Sequence, residues 1–149
     1  MLSIPHALTG AFIASKIPVP LVYIPLALSF HYLQDWMPHW DVGTGLSNGT
    51  RTRKTAFILE LFDLAITAGL IFWFWNGVLW TPQFYHICAG AFFGLLPDFL
   101  EAPRNFFKWE PAFLKPLNAF HHNFHHSIPN MLLGLAPQVV IVLVIYLLK

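Results

Sequence analysis

Residues 56–75 read AFILELFDLAITAGLIFWFW, and only Glu60 and Asp63 interrupt their apolar character. A helix of about 20 such residues is long enough to cross the hydrocarbon core of a bilayer. Working outward, three more stretches have the same character: residues 19–38, 83–100 and 131–148. Residues 4–17 are apolar but shorter, which suits a half-spanning or strongly tilted helix. No basic region precedes this first apolar run, so it is expected to be retained structure, not a signal peptide.

The composition agrees. The chain has 149 residues, 56% hydrophobic and 10% charged. A water-soluble domain carries about 25% charged residues. The expected architecture is all-α: a polytopic integral membrane helical bundle of four to five transmembrane helices plus an interfacial segment. It forms one domain over residues 1–149. The net charge of +1 gives no basic field for nucleic acid. Cys88, the single cysteine, reads as a small buried hydrophobe.

The links between spans differ in kind. Residues 41–55 form a polar Gly/Thr loop expected to face solvent, and residues 76–82 a tight turn. Residues 101–130 mix Arg104, Lys108 and Lys115 with aromatic residues, as an interfacial segment does before a short helix. If every apolar segment crosses, Arg51, Arg53, Lys54, Arg104, Lys108 and Lys115 share one side, against Lys16 and Lys149 on the other. The positive-inside rule then puts the N-terminus in the cytoplasm.

The same alternation gathers the titratable residues. His6, His31, His39, His121, His122, His125 and His126 all fall on the inner side, and so do Asp35, Asp41, Glu60, Asp63, Asp98 and Glu101. Only His86 among the histidines falls near the outer end. His31, Asp35 and His39 are spaced by four, which stacks them on one helical face. His121 with His125, and His122 with His126, repeat that spacing. Imidazoles and carboxylates arranged this way are the usual helix-borne ligands of zinc, iron or manganese. A carboxylate within an apolar span costs about 2.5–3.5 kcal/mol, and a bound cation offsets that cost. The candidate metal ligands are therefore His6, His31, Asp35, His39, Asp63, Asp98, His121, His122, His125 and His126. Asp35, Asp98 and Glu101 are the candidate catalytic carboxylates, and zinc is the first choice of divalent metal, with manganese or iron as alternatives.

Several motifs carry a family resemblance. P-H-A-L-T-G (residues 5–10), H-x-x-x-D (His31, Asp35), L-L-P-D (residues 95–98) and H-H-S (residues 125–127) resemble those of small bacterial membrane-bound metal-dependent hydrolases. The resemblance implies a site at His6, His31, Asp35, Asp98 and His126. It is partial: Pro5 and His125 stand where that family has threonine, and H-x-x-x-D here precedes the P-D element.

Three functions follow as expectations. The first is a metal-dependent hydrolase acting at the inner face, through metal-activated water, on a phosphoester or ester bond of a lipid or lipid-linked substrate. The second is a non-catalytic metal- or ion-binding or transport subunit, in which oligomerisation is possible. The third is a di-iron oxidase, since His122, His125 and His126 fit one H-x-x-H-H box.

Overall fold

Three polar residues start the long helices by accepting otherwise orphaned backbone N–H groups. The Thr52 hydroxyl accepts from the Thr55 amide, Thr81 from Phe84 and the Asn130 side chain from Leu133. The computed structural model describes residues 1–149. It has six α-helices and no strand: α1 (Ser3–Lys16), α2 (Pro20–Trp36), α3 (Arg53–Phe74), α4 (Pro82–Phe107), α5 (Lys115–Phe124) and α6 (Met131–Leu148).

Two of them, α3 and α6, are long and apolar enough to cross a membrane. At 1.5 Å per residue α3 is about 33 Å long. Only 22% and 17% of their most apolar windows are buried within the chain. Leu21, Phe62, Trp73, Leu132 and Leu147, on α2, α3 and α6, all lie exposed.

α1 is the central helix. It touches α2, α3, α4 and α6, and packs most extensively on α4. The reason lies in its small residues. Gly10 of α1 meets Gly90 of α4, and Gly94 meets the carbonyl of His6; a Cβ on any of these glycines would collide with backbone opposite. Gly90 and Gly94 form a GxxxG pair, and Gly10 and Ala14 supply small residues at the same spacing. In lipid, where the surroundings are as apolar as the helices, such close backbone approach is a main source of helix association.

The helices alternate in direction. The start of α1 meets the first half of α3, where the Ser3 amide donates to Asp63 at 2.5 Å and the Ser3 hydroxyl to Glu60 at 2.6 Å. The far ends of α1 and α4 meet through the Gln83 side chain and the Ser15 carbonyl. Lys149 likewise reaches the carbonyl of Phe74, bringing the ends of α6 and α3 together. One end of the bundle thus carries the acidic residues and seven of the eight histidines. The opposite end has His86 edge-on to Tyr23.

Three boundaries differ from the expected ones. α2 stops at Trp36, so His39 lies beyond it and does not share a helical face with His31 and Asp35. α4 continues past residue 100 to Phe107, where Lys108 closes it in the left-handed conformation. An ion pair between Glu101 and Arg104, three apart on one face, supports the added turns. α5 stops at Phe124, so His125 and His126 lie beyond it and do not share a helical face with His121 and His122. His125 has extended backbone, and Pro129 disfavours a return to helix at Ile128.

Candidate metal centre

Asp35 is the hub. It lies on the last turn of α2 with no exposed surface. Its Oδ2 faces His121 Nε2 at 2.8 Å and His31 Nε2 at 3.3 Å. Its Oδ1 faces His6 Nε2 at 3.1 Å and His39 Nε2 at 3.8 Å, and forms an ion pair with the Met1 amino group. Burial opposes charge on that amine, but Asp35, Asp98 and Asp41 outweigh it and hold the amine above its ordinary pKa.

Three of the four surrounding rings are held by the far nitrogen. His31 Nδ1 donates to the Gly94 carbonyl at 2.7 Å, in the turn of α4 that Pro97 deprives of one backbone N–H. His39 Nδ1 donates to the Met37 carbonyl at 2.8 Å. His6 Nδ1 donates to Gln34 Oε1 at 2.9 Å, and Gln34 in turn donates to Thr9. Carbonyl oxygens cannot donate, so the proton of each neutral ring sits on Nδ1 and the Nε2 lone pair points at Asp35. Such a second hydrogen bond also orients metal-bound histidines. His121 Nδ1 has Glu101 Oε2 at 3.4 Å, and no hydrogen bond satisfies it.

Two groups of ligand atoms result. The first is His31, Asp35, Asp98 and His121; the second is Asp35, His39 and His125. In the first, His31 Nε2 and His121 Nε2 stand 3.2 Å apart, with Asp98 Oδ1 at 3.7 Å from each. Ligand nitrogens 2.0–2.1 Å from a tetrahedral zinc are separated by about 3.3 Å. The spacing and the nitrogen–oxygen donor set therefore fit a divalent cation. Without one, facing lone pairs and buried carboxylates carry a desolvation cost.

The chain brings His39 and His125 together by pairing residues 35–39 with 126–128. His126 N–H donates to the Asp35 carbonyl, His39 N–H to the His126 carbonyl, and Ile128 N–H to the His39 carbonyl. Asp41 joins them from the loop after α2. Arg51 holds that loop by donating to the carbonyls of Asp41 and Val42 and stacking on Trp40. The start of the loop is therefore buried, where the sequence pattern suggested solvent. Burial favours a neutral Asp41, but His39, His125 and the Met1 ammonium hold its pKa down at about 2. Burial and the same ammonium lower His125 to about 4.

The other expected ligands lie elsewhere. Asp63 caps the start of α1 through the Ser3 amide. His6 stacks on His31 with ring centres 4.0 Å apart and touches Asp35, but belongs to neither group. His122 is exposed, and His126 is exposed with its Nδ1 on the Phe124 carbonyl. Conversely, Asp41, Gln34 and Gln138 matter more than their motifs suggested. Gln138 lies buried in the most apolar helix, where it accepts from the Leu2 amide and donates to the Trp40 and Gly134 carbonyls. A polar residue in such a run is itself a signal.

Beside the centre is a cavity of about 500 Å³. Asp41, Asp98 and His125 reach it at one side, while Phe57, Leu61 and Phe99 give it apolar walls from α3 and α4. The chain matches no protein-family model, and neither curated proteins nor solved structures show significant similarity to it.

Proposed function

We propose that the protein is a membrane-embedded, metal-dependent hydrolase of a phosphoester or ester bond in a lipid or lipid-linked substrate. The observation that carries this reading is the opening of a buried His–Asp ligand group, through Asp98, into a cavity with apolar walls. His31, Asp35 and His121 would hold the metal, three protein ligands being the pattern of catalytic zinc sites. When bound, such a cation polarises the ester oxygen and makes water acidic near neutral pH.

The protein's own groups divide the remaining work. Asp98, with 26% of its side chain exposed, faces the cavity, where Asp35 is sealed. It takes one proton from the attacking water as the water oxygen bonds to phosphorus or carbon. The bond to the leaving oxygen breaks, and the proton passes from Asp98 to the departing alcohol. Glu101 positions His121 from the Nδ1 side, and Arg104 pairs with that carboxylate. Phe57, Leu61 and Phe99 receive the apolar part of the substrate.

The same reading supplies the setting. Outward apolar faces on α2, α3, α4 and α6, and the shared titratable end, suit a bundle crossing the bilayer four or five times, with α5 at the interface. The arginines and lysines near that end favour the cytoplasmic side of a bacterial inner membrane. A transport subunit is less well supported, because both groups of metal-ligating side chains lie at one end of the bundle, whereas the far end offers His86 edge-on to Tyr23. The oxidase reading loses ground because His122 and His126 belong to neither ligand group, and His126 Nδ1 is committed to the Phe124 carbonyl.

The test is hydrolysis of phospholipid in mixed micelles by purified protein. Activity should need added zinc or manganese and fall at least about 100-fold in Asp98→Asn, in line with loss of a general base, while bound metal stays. Full activity in Asp98→Asn, or in chelator, contradicts the reading.

A further inference from the structure

We infer that the protein binds a second divalent cation, held by His39, Asp41 and His125 and joined to the first centre through the two oxygens of Asp35. Three atoms define the site. His39 Nε2 and His125 Nε2 are 3.2 Å apart, and Asp41 Oδ2 lies 3.3 Å from the first and 3.4 Å from the second. The three edges of this triangle are nearly equal. They match the separation of about 3.3 Å between donors around a tetrahedral cation.

The triangle lacks a proton where hydrogen bonding would need one. The proton of neutral His39 is on Nδ1, committed to the Met37 carbonyl, so its Nε2 can only accept. Asp41 Oδ2 is buried and accepts no hydrogen bond, although two ring nitrogens lie within 3.4 Å. A proton on His125 Nε2 would serve one of the three contacts and leave the others repulsive. A divalent cation serves all three, because carboxylate oxygen and neutral imidazole nitrogen are both its ligands.

Asp35 makes this a pair of sites. Its Oδ2 belongs to the His31 and His121 group, and its Oδ1 faces His39. A carboxylate shared in this way couples the two cations and spreads its single charge over both. Asp41 lines the same cavity as Asp98, so both centres would face one substrate.

As a binding site this stands on the triangle alone; as part of catalysis it rests on the hydrolase reading above. There it narrows the substrate to a phosphoester. Paired cations suit in-line displacement at phosphorus, where charge develops on attacking and leaving oxygens together.

The experiment is metal counting on detergent-purified protein, stripped with chelator and reloaded with manganese. Wild type should hold two equivalents, and a His39→Ala/Asp41→Asn variant should hold one. The manganese-loaded wild type should also give the electron paramagnetic resonance spectrum of an exchange-coupled pair, which needs no variant to fold. One equivalent with an isolated-ion spectrum overturns the second site and leaves a one-metal hydrolase standing. Two coupled equivalents with no phospholipid hydrolysis support the site and sink the hydrolase reading. No bound metal overturns both.

Discussion

At the scale of single residues, the centre depends on which atom of each ring carries the proton. Backbone carbonyls at Gly94 and Met37 make that choice for His31 and His39. Glu101 makes it for His121 only by proximity. Glu101→Gln should therefore weaken metal affinity about 10–100-fold, the usual effect of losing a partner behind a metal-bound histidine. Titration with a competing zinc indicator measures this, and unchanged affinity would remove Glu101 from the site. Acid sensitivity follows from His125 and Asp41, packed against His39, Asp35 and the Met1 amine. His125 has a pKa of about 4 in the fold against about 6.5 when unfolded. The unfolded chain thus takes up the proton first, and stability falls as pH drops from 6.5 to 4. Asp41, held at about 2 against about 3.8 when unfolded, adds a further loss below pH 4. The melting temperature of metal-free protein in detergent should decline through this window, and less steeply in His125→Asn. A flat profile would contradict the burial argued for both residues.

At the scale of helices, Asp63 and the glycines of α1 and α4 have structural tasks. Asp63 accepts the Ser3 amide and so fixes the start of the helix that carries His6. Asp63→Ala should cost about 1 kcal/mol, the size of a lost cap, and leave the metal count unchanged; loss of metal would return Asp63 to the ligand set. Gly90→Leu should destabilise far more, by about 3 kcal/mol or more, because its side chain would enter the α1 backbone. Thermal unfolding in detergent measures both. Much of this layer was legible beforehand. Apolar run length located α3 and α6 closely, and the i,i+4 spacing of His31 and Asp35 held because both lie within α2. The same spacing misled at His125 and His126, which lie beyond the end of α5. Asp41 was passed over as a ligand because a ligand delivered by a folded-back loop leaves no periodic trace. Its signal was the short interval after His39.

At the scale of the molecule, one end of an alternating bundle gathers residues from α1, α2, α4, α5 and the loops between them. Burying so many ionisable groups beside apolar helices is costly, and the arrangement makes physical sense when a cation completes it. If the bundle spans a bilayer as proposed, cysteines placed at Ser47 and at Gly77, in a Cys88→Ser background, should label from opposite faces of sealed inverted vesicles. Labelling of both from one face would rule out a crossing by α3. The central claim is that the Asp35 cluster is a metal centre, and elemental analysis of detergent-purified protein, grown with zinc and never exposed to chelator, tests it most directly. The account predicts at least one equivalent of zinc per chain in wild type and a lower count in Asp35→Ala. Wild type without bound metal, or Asp35→Ala with an undiminished count, would contradict it.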